Sequence, residues 1–236
     1  MGACVYQTPI VHREGEIDCD TGPAPTSRSE RQLNTDIAGR AFDIVIAIVA
    51  IVFTAPLMLA AAFAVKLVDA GPILFRHERI GLGGRTFSCL KFRTMVVDAG
   101  ERLARLLETD PIARREWERD HKLRKDPRTT PIGDFLRRSS VDELAQLFNV
   151  LRGEMSIVGP RPIVAAEACR FGSRFVWYCK VRPGITGLWQ VSGRNDLSYR
   201  RRVAMDTVYA KNKCLTWDLQ IVLMTLPAVI FARGSY

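Results

Sequence analysis

The sequence predicts an α+β fold: a membrane-embedded re-entrant helix kinked at Pro56, a small β-hairpin, interfacial amphipathic helices and a compact cytoplasmic domain. Three observations predict it. Residues Ile44 to Val65 form an uncharged run, IVIAIVAIVFTAPLMLAAAFAV, in which Thr54 is the one polar side chain. Behind it, ILFRHERIGLGGRTFSCLKFRTM reads as two extended stretches joined by a glycine-rich turn. Further on, apolar residues recur at the three- and four-residue spacing of half-buried helices.

In chain order, residues 1–35 mix charges, carry TGPAPTSRS and show no period, which predicts a disordered tail. The apolar run defines a membrane segment over residues 36–70. At about 1.5 Å per residue it reaches across a hydrocarbon core of about 30 Å. Its position and flanks do not match a signal peptide. Pro56 removes one backbone hydrogen bond and clashes with the preceding turn, which predicts the kink. Arg28, Arg31 and Arg40 precede the run, and Lys66, Arg76, Arg79, Arg85, Lys91 and Arg93 follow it. Positive charge on both sides draws both ends toward the cytoplasm, which a helix entering and leaving one leaflet satisfies. A straight bitopic helix is the alternative.

The body covers residues 71–236. Gly81 to Gly84 lack the remainder of a dinucleotide fingerprint and read as a hairpin turn. Leu103, Leu106 and Leu107 predict a polar-faced helix between Val97 and His121, interrupted near Asp110-Pro111. KLRKDPRTTPIGDFLRR reads as a basic, proline-punctuated linker. In RRSSVDELAQLFN, Ser140 is placed as an N-cap with Glu143 as its capping-box partner, and Asp142 as a first-turn acid. Leu144, Leu147, Phe148 and Leu151 would form the buried face of that helix. Two adjacent carboxylates behind two arginines are equally a candidate for chemistry. GEMSIVGPRP predicts a short strand ending in a rigid turn that presents Arg161, and VRPGITGLWQVSGRNDLSYRRRV repeats the theme at Arg182 before a basic helix. Leu219 to Ala232 is apolar but short and broken by Pro227, a core or interfacial helix rather than a second span.

A net charge of +9 and a sequence pI near 9.6 point to an anionic partner: nucleic acid, lipid head groups or phosphates. Aromatic residues are sparse around the arginines, against a single-strand nucleic-acid platform. The six cysteines (Cys4, Cys19, Cys89, Cys169, Cys179 and Cys214) show no metal-ligand spacing, and free thiols in a reducing compartment are expected. His12, His77 and His121 lie too far apart in sequence to suggest a triad.

Together, KFRTM (91–95), SSVDELAQLFNVLRGEMSIVGPRP (139–162), RPGITGLWQVSGR (182–194) and the span with its central proline resemble the bacterial sugar transferases, the monotopic polyprenyl-phosphate hexose-1-phosphate transferases. The resemblance runs from about residue 36 to the C-terminus and is strongest toward the exopolysaccharide-initiating galactosyl-1-phosphate transferases of rhizobia. It implies transfer of a hexose 1-phosphate from a UDP-sugar to undecaprenyl phosphate with release of UMP, at the cytoplasmic face of the bacterial inner membrane. It implies Asp142 as a nucleophile forming a phosphosugar intermediate, and Glu143 as the residue that helps hold Mg²⁺. Lys91, Arg93, Arg137, Arg161, Arg182 and Asp206 match further positions of the family and are implied to bind substrate. Self-association as a homodimer is left open, and nucleic acid is not an expected partner. Direct attack by the lipid phosphate and a non-enzymatic binder of anionic lipid or nucleic acid are the competing readings. Two positions depart from the family pattern: Ala55 stands before Pro56 where many relatives have serine, and Ala145 follows the dyad's leucine where relatives usually have proline.

On physical grounds, a helix N-terminus would keep Asp142 ionised and offer donors to a phosphate. A carboxylate and a diphosphate must meet for such a reaction, so charge neutralisation would dominate its barrier.

Overall fold

The computed structural model describes residues 30–120, 123, 126–193 and 197–230, with side-chain surroundings defined for 37–117, 123, 126–193 and 197–225. The expected tail falls largely outside these residues. In chain order, α1 (Glu30–Val68) is followed by a two-stranded sheet of β1 (Leu74–Ile80) and β2 (Thr86–Phe92). Then come α2 (Ala99–Thr109), α3 (Pro111–Asp120), α4 (Pro131–Arg138), a 3-10 turn (Val141–Ala145) and α5 (Gln146–Arg152). The remainder comprises β3 (Ser156–Val158), α6 (Ala165–Ala168), a 3-10 segment (Cys169–Arg174), α7 (Phe175–Cys179), β4 (Gly184–Thr186), α8 (Leu188–Ser192), α9 (Tyr199–Asn212) and α10 (Leu215–Ile230). The chain divides into two compact units. One gathers the residues up to Val52, Arg76–Cys89 and the residues from Gln146 onward; the other gathers Phe53–Phe75 and Leu90–Ala145.

Helix α1 begins at Glu30, earlier than the expected boundary at 36, because Glu, Arg, Gln and Leu at its start are good helix formers. It continues as one helix through Pro56. Between Ile37 and Val68 it is long and apolar enough to cross a membrane. Most of its apolar side chains lack protein cover, Phe53 being 85% exposed. Each half buries a narrow line within its own unit: Asp43 and Ala47 in the first, Met58, Ala61 and Val65 in the second.

In the second unit, Met58, Ala61 and Val65 share one helical face and pack with Leu90 and Phe92 of β2, Leu136 of α4, and Val141 and Ala145 of the 3-10 turn. The helix expected between Val97 and His121 is divided where the Asp110-Pro111 pair predicts. Asp110 ends α2 and its carboxylate accepts the N–H groups of Ile112 (2.8 Å) and Ala113 (3.1 Å), starting α3. The basic linker needs correction, since its second half is α4. Thr130 caps α4 by accepting the Gly133 N–H at 2.9 Å, and Pro131 supplies a preset φ at the first helical position.

In the first unit, Gly83 (φ 69°) and Gly84 (φ 78°) turn the hairpin through left-handed conformations that only glycine adopts cheaply. A core of Ile80, Ile163, Ala168, Phe171, Tyr178, Cys179 and Val203 lies beside it. The Tyr178 hydroxyl donates to the Ile80 carbonyl (2.8 Å) and accepts the Ile163 N–H (3.2 Å). Strands β3 and β4 pair in parallel, Ser156 opposite Gly184 and Val158 opposite Thr186. A side chain at Gly184 would collide with the backbone of Gly159, so glycine permits the close approach. This pairing sets the Gly159-Pro160-Arg161 turn against the Arg182-Pro183-Gly184 turn, with the Gly184 N–H donating to the Pro160 carbonyl at 2.8 Å.

Asp43 ties α1 to β3. Its Oδ1 accepts from Ser156 Oγ (2.8 Å) and from the Ile157 N–H (2.9 Å) in a buried setting. Arg40, one turn earlier, donates to the Val150 (2.7 Å) and Leu151 (3.0 Å) carbonyls at the end of α5, where a cation complements the helix dipole. The buried face expected for α5 is only partly realised. Leu147 and Val150 are buried, but Phe148 and Leu151 are exposed and Gln146 and Asn149 are inside. The preceding 3-10 turn breaks the α-helical phase, and Asn149 satisfies its amide on the Ser88 carbonyl (2.7 Å) and Glu154 (2.6 Å). The C-terminal apolar run forms α10, whose Asp218 and Ile221 are buried while Leu219, Leu223 and Met224 are exposed.

Candidate functional site

Asp142 and Glu143 sit in the five-residue 3-10 turn that follows α4. The capping reading of this stretch needs correction. Ser140 adopts φ 57°, a left-handed conformation, whereas an N-cap residue is extended, and no regular α-helix starts until Gln146. Glu143 Oε1 instead accepts from Lys91 Nζ of β2 at 2.6 Å. The same ammonium lies 4.0 Å from Asp142 Oδ2.

Asp142 is 7% exposed. Burial pushes its carboxyl up to about 6, with Lys91 pulling the other way, Glu143 adding to the rise and Arg137 opposing it. The expected helix N-terminus is not what sets this charge: one short 3-10 turn aligns few peptide dipoles, and desolvation raises the carboxyl instead. The result is an acid that is ionised at neutral pH, poorly hydrated and faced by cations.

Arg137 comes off the last turn of α4 and donates through Nε to Thr94 Oγ1 (2.8 Å) and through Nη1 to Thr129 Oγ1 (3.2 Å). Arg93 is buried and committed elsewhere. Its Nη2 donates to the Asp69 carbonyl at 2.7 Å, and its Nη1 stands 3.8 Å from the Asp69 carboxylate. Asp69, which the sequence reading passed over, also accepts the Val97 N–H at 3.0 Å and so joins the end of α1 to the segment after β2. A lone acid closing a basic, apolar run was the only available signal for it.

The other three predicted site residues belong to the first unit. Arg161 is exposed at its turn. Asp206, on α9, is 5% exposed, and burial raises its carboxyl well above the ordinary range while the Arg161 charge pulls it down. One Asp206 oxygen has no hydrogen-bond partner among the described residues. Arg182 donates through Nε to the Gly153 carbonyl at 2.9 Å, holding the turn after α5. The structure thus brings Lys91, Asp142, Glu143 and Arg137 together, pairs the field of Arg161 with Asp206, and gives Arg93 and Arg182 backbone partners.

Among the described residues no three His, Cys, Asp or Glu side chains cluster as a metal cage. Mg²⁺ ordinarily uses one or two carboxylates and completes its shell with phosphate oxygens and water, so the adjacent Asp142 and Glu143 carboxylates fit that ion when a diphosphate is present.

A family model described as bacterial sugar transferase matches residues 34–232. The exopolysaccharide production protein ExoY of Sinorhizobium fredii is 50% identical over 200 residues, covering 85% of this chain and 88% of that protein. The undecaprenyl-phosphate galactose phosphotransferase of Salmonella typhimurium is 49% identical over 197 residues, covering 84% of this chain and 41% of its own length. The UDP-glucose:undecaprenyl-phosphate glucose-1-phosphate transferase of Caulobacter vibrioides is 36% identical over 252 residues, covering 99% of this chain and 88% of that protein. The chain therefore spans less than half of the Salmonella relative and most of the other two.

Proposed function

This chain belongs to the bacterial sugar transferase family, and from that premise we propose that it transfers a hexose 1-phosphate, of galactose or glucose, from a UDP-sugar to undecaprenyl phosphate. The reaction takes place at the cytoplasmic face of the bacterial inner membrane and opens exopolysaccharide synthesis. The names of the Salmonella and Caulobacter relatives support the lipid acceptor and the two hexoses, the Caulobacter name supports the UDP-sugar, and the rhizobial name supports the pathway.

The observation that carries the chemistry is a buried carboxylate, Asp142, beside the Lys91–Glu143 ion pair. An Asp142 oxygen attacks the phosphorus that bears the sugar, the bond to the UMP oxygen breaks, and UMP leaves with that electron pair. An oxygen of undecaprenyl phosphate then attacks the same phosphorus, giving the lipid diphosphosugar and returning Asp142 as a carboxylate. Lys91 and Arg137 supply positive charge where two anions meet, the costly feature of such a displacement. Glu143, with Asp142, would hold Mg²⁺, which supplies further neutralisation of the diphosphate when bound. Burial of Asp142 favours attack, because little hydration has to be stripped from it.

Helix α1 is proposed to enter and leave the cytoplasmic leaflet, supported by the basic residues on both sides of the run. With the native cysteines removed, Ala41→Cys and Val68→Cys are expected to react with an impermeant reagent from the same side. Labelling from opposite sides means a straight crossing.

The test of the reaction is UMP release from a panel of UDP-sugars, with and without undecaprenyl phosphate. Release before acceptor is added, together with a phosphosugar adduct on the Asp142 peptide, supports the two-step path. Release only with acceptor present, and no adduct, means direct attack. No release from any donor refutes the transferase reading in favour of a binder.

A further inference from the structure

A second basic site lies in the first unit, lined by residues that have no part in the transfer reaction proposed above. The 3-10 segment Cys169–Arg174 and the first turn of α9 enclose a cleft of about 370 Å³ lined by Arg170, Phe171, Arg174, Tyr199, Arg200 and Val203. We propose that this cleft binds a phosphate group carried on an organic body of nucleotide or lipid-headgroup size.

Three exposed arginines from two segments, Arg170, Arg174 and Arg200, line it. Among the described residues none of the three has an ion pair or a side-chain hydrogen bond. An exposed arginine is ordinary by itself, but three around one concavity, none held by a carboxylate, match the oxygens of a phosphate, which planar guanidinium forks bind in pairs. The nearby carboxylate of Glu167 is occupied: it accepts the Val164 N–H at 3.2 Å and stands 3.9 Å from Arg79.

The walls add a body-binding surface. Phe171 and Tyr199 meet edge to face at 6.3 Å, and the Arg170 guanidinium lies over the Tyr199 ring at 5.1 Å, which fixes its direction. The Tyr199 hydroxyl is shielded from solvent and has no hydrogen-bond partner among the described residues. A half-exposed tyrosine ring among three arginines suits a ligand with an apolar or aromatic body and a charged phosphate end. The volume lies at the small end of ligand pockets, which run from about 300 to about 1,000 Å³. Binding at this cleft does not depend on the proposed transfer reaction.

Hydrogen–deuterium exchange of the full chain in lipid nanodiscs locates the ligand by peptide. With phosphatidylcholine discs, pyrophosphate and UMP are added separately; a parallel sample uses phosphatidylglycerol discs with no addition. Protection of the peptides covering residues 168–175 and 198–204 is expected in at least one arm. Protection by the soluble probes identifies a free phosphate ligand, and protection only in phosphatidylglycerol identifies a lipid head group. Arg170→Gln/Arg174→Gln is expected to weaken the response at least about tenfold, as two charge-assisted hydrogen bonds would require. Arg200→Gln, in the exposed first turn of α9, gives the same reading if the double variant fails to fold. No protection in any arm, or equal protection in a folded variant, overturns the proposal.

Discussion

Lys91 Nζ donates to Glu143 Oε1 across 2.6 Å while standing 4.0 Å from Asp142 Oδ2, so one ammonium serves two neighbouring carboxylates unequally. Glu143 is the partly exposed member of the pair and takes the direct bond. Asp142 is the buried member and takes the longer contact, leaving its oxygens poorly neutralised. That inequality distinguishes the roles of two residues that are chemically alike.

Asp142 is expected to cost the protein stability. Its folded carboxyl titrates near 6, against about 3.9 for a free side chain. Stability from this group therefore falls as pH rises between these values, and the full penalty, up to about 3 kcal/mol, applies above pH 7. Asp142→Asn is expected to abolish turnover yet raise the thermal midpoint at pH 8, with the gain vanishing near pH 4. A gain independent of pH would contradict the assignment of burial as its cause.

The rate should report the same group. kcat/KM is expected to climb with pH along a limb centred near 6, as Asp142 ionises. Lys91→Met removes the charge that pulls this value down, so the limb is expected to move to higher pH and the plateau to drop by about 10²-fold or more, in the range seen for lost transition-state donors. A pH–rate profile of the two proteins checks both effects.

Arg93 and Asp69 are expected to behave as a structural pair. Arg93→Met leaves a buried carbonyl without its donor and is expected to cost about 1–3 kcal/mol of stability. Asp69→Asn should lower the midpoint less, since the Asp69 carbonyl still meets the guanidinium, and the double variant should fall short of the sum. If Arg93→Met instead raises KM for the UDP-sugar at unchanged stability, the residue binds substrate.

Asp43→Ala strands two buried donors, Ser156 Oγ and the Ile157 N–H, and each costs about 1–3 kcal/mol. Ser156→Ala removes only one of those bonds and is expected to be milder. Thermal unfolding in detergent ranks the two, and the reverse order would show that the Ile157 contact carries nothing.

Chelation is expected to stop UMP release, and added Mg²⁺ to restore it, while the thermal midpoint of the resting protein stays unchanged. The unchanged midpoint follows from a carboxylate pair that lacks a third ligand among the described residues.

Local chemistry was legible wherever a signal fits within a few residues. The uncharged run gave α1, the paired glycines gave the hairpin turn, and Asp110-Pro111 gave the break between α2 and α3. Partnerships across the chain were not legible. Nothing in GEMSIVGPRP states that it pairs in parallel with GIT, and Arg40, counted as a flanking charge, proves to close the end of α5. Asp43 and Asp69 flank the apolar run, where acids read as solvated ends, yet both serve as acceptors for backbone groups far away in sequence. The Asp-Glu pair was visible, but the 3-10 geometry that buries one and leaves the other at Lys91 depends on the whole second-unit core.

The hydrogen bonds from Ser156 and Ile157 to Asp43 bear on how this enzyme can be handled. A conventional membrane anchor can be cut away and the remainder studied in water. Here the first buried acceptor needed by strand β3 resides inside the helix that would be discarded, so a shortened protein beginning after it loses part of its own interior. Solubilisation is better sought by preserving α1 and exchanging its exposed apolar side chains, such as Phe53 and Leu59, for polar ones.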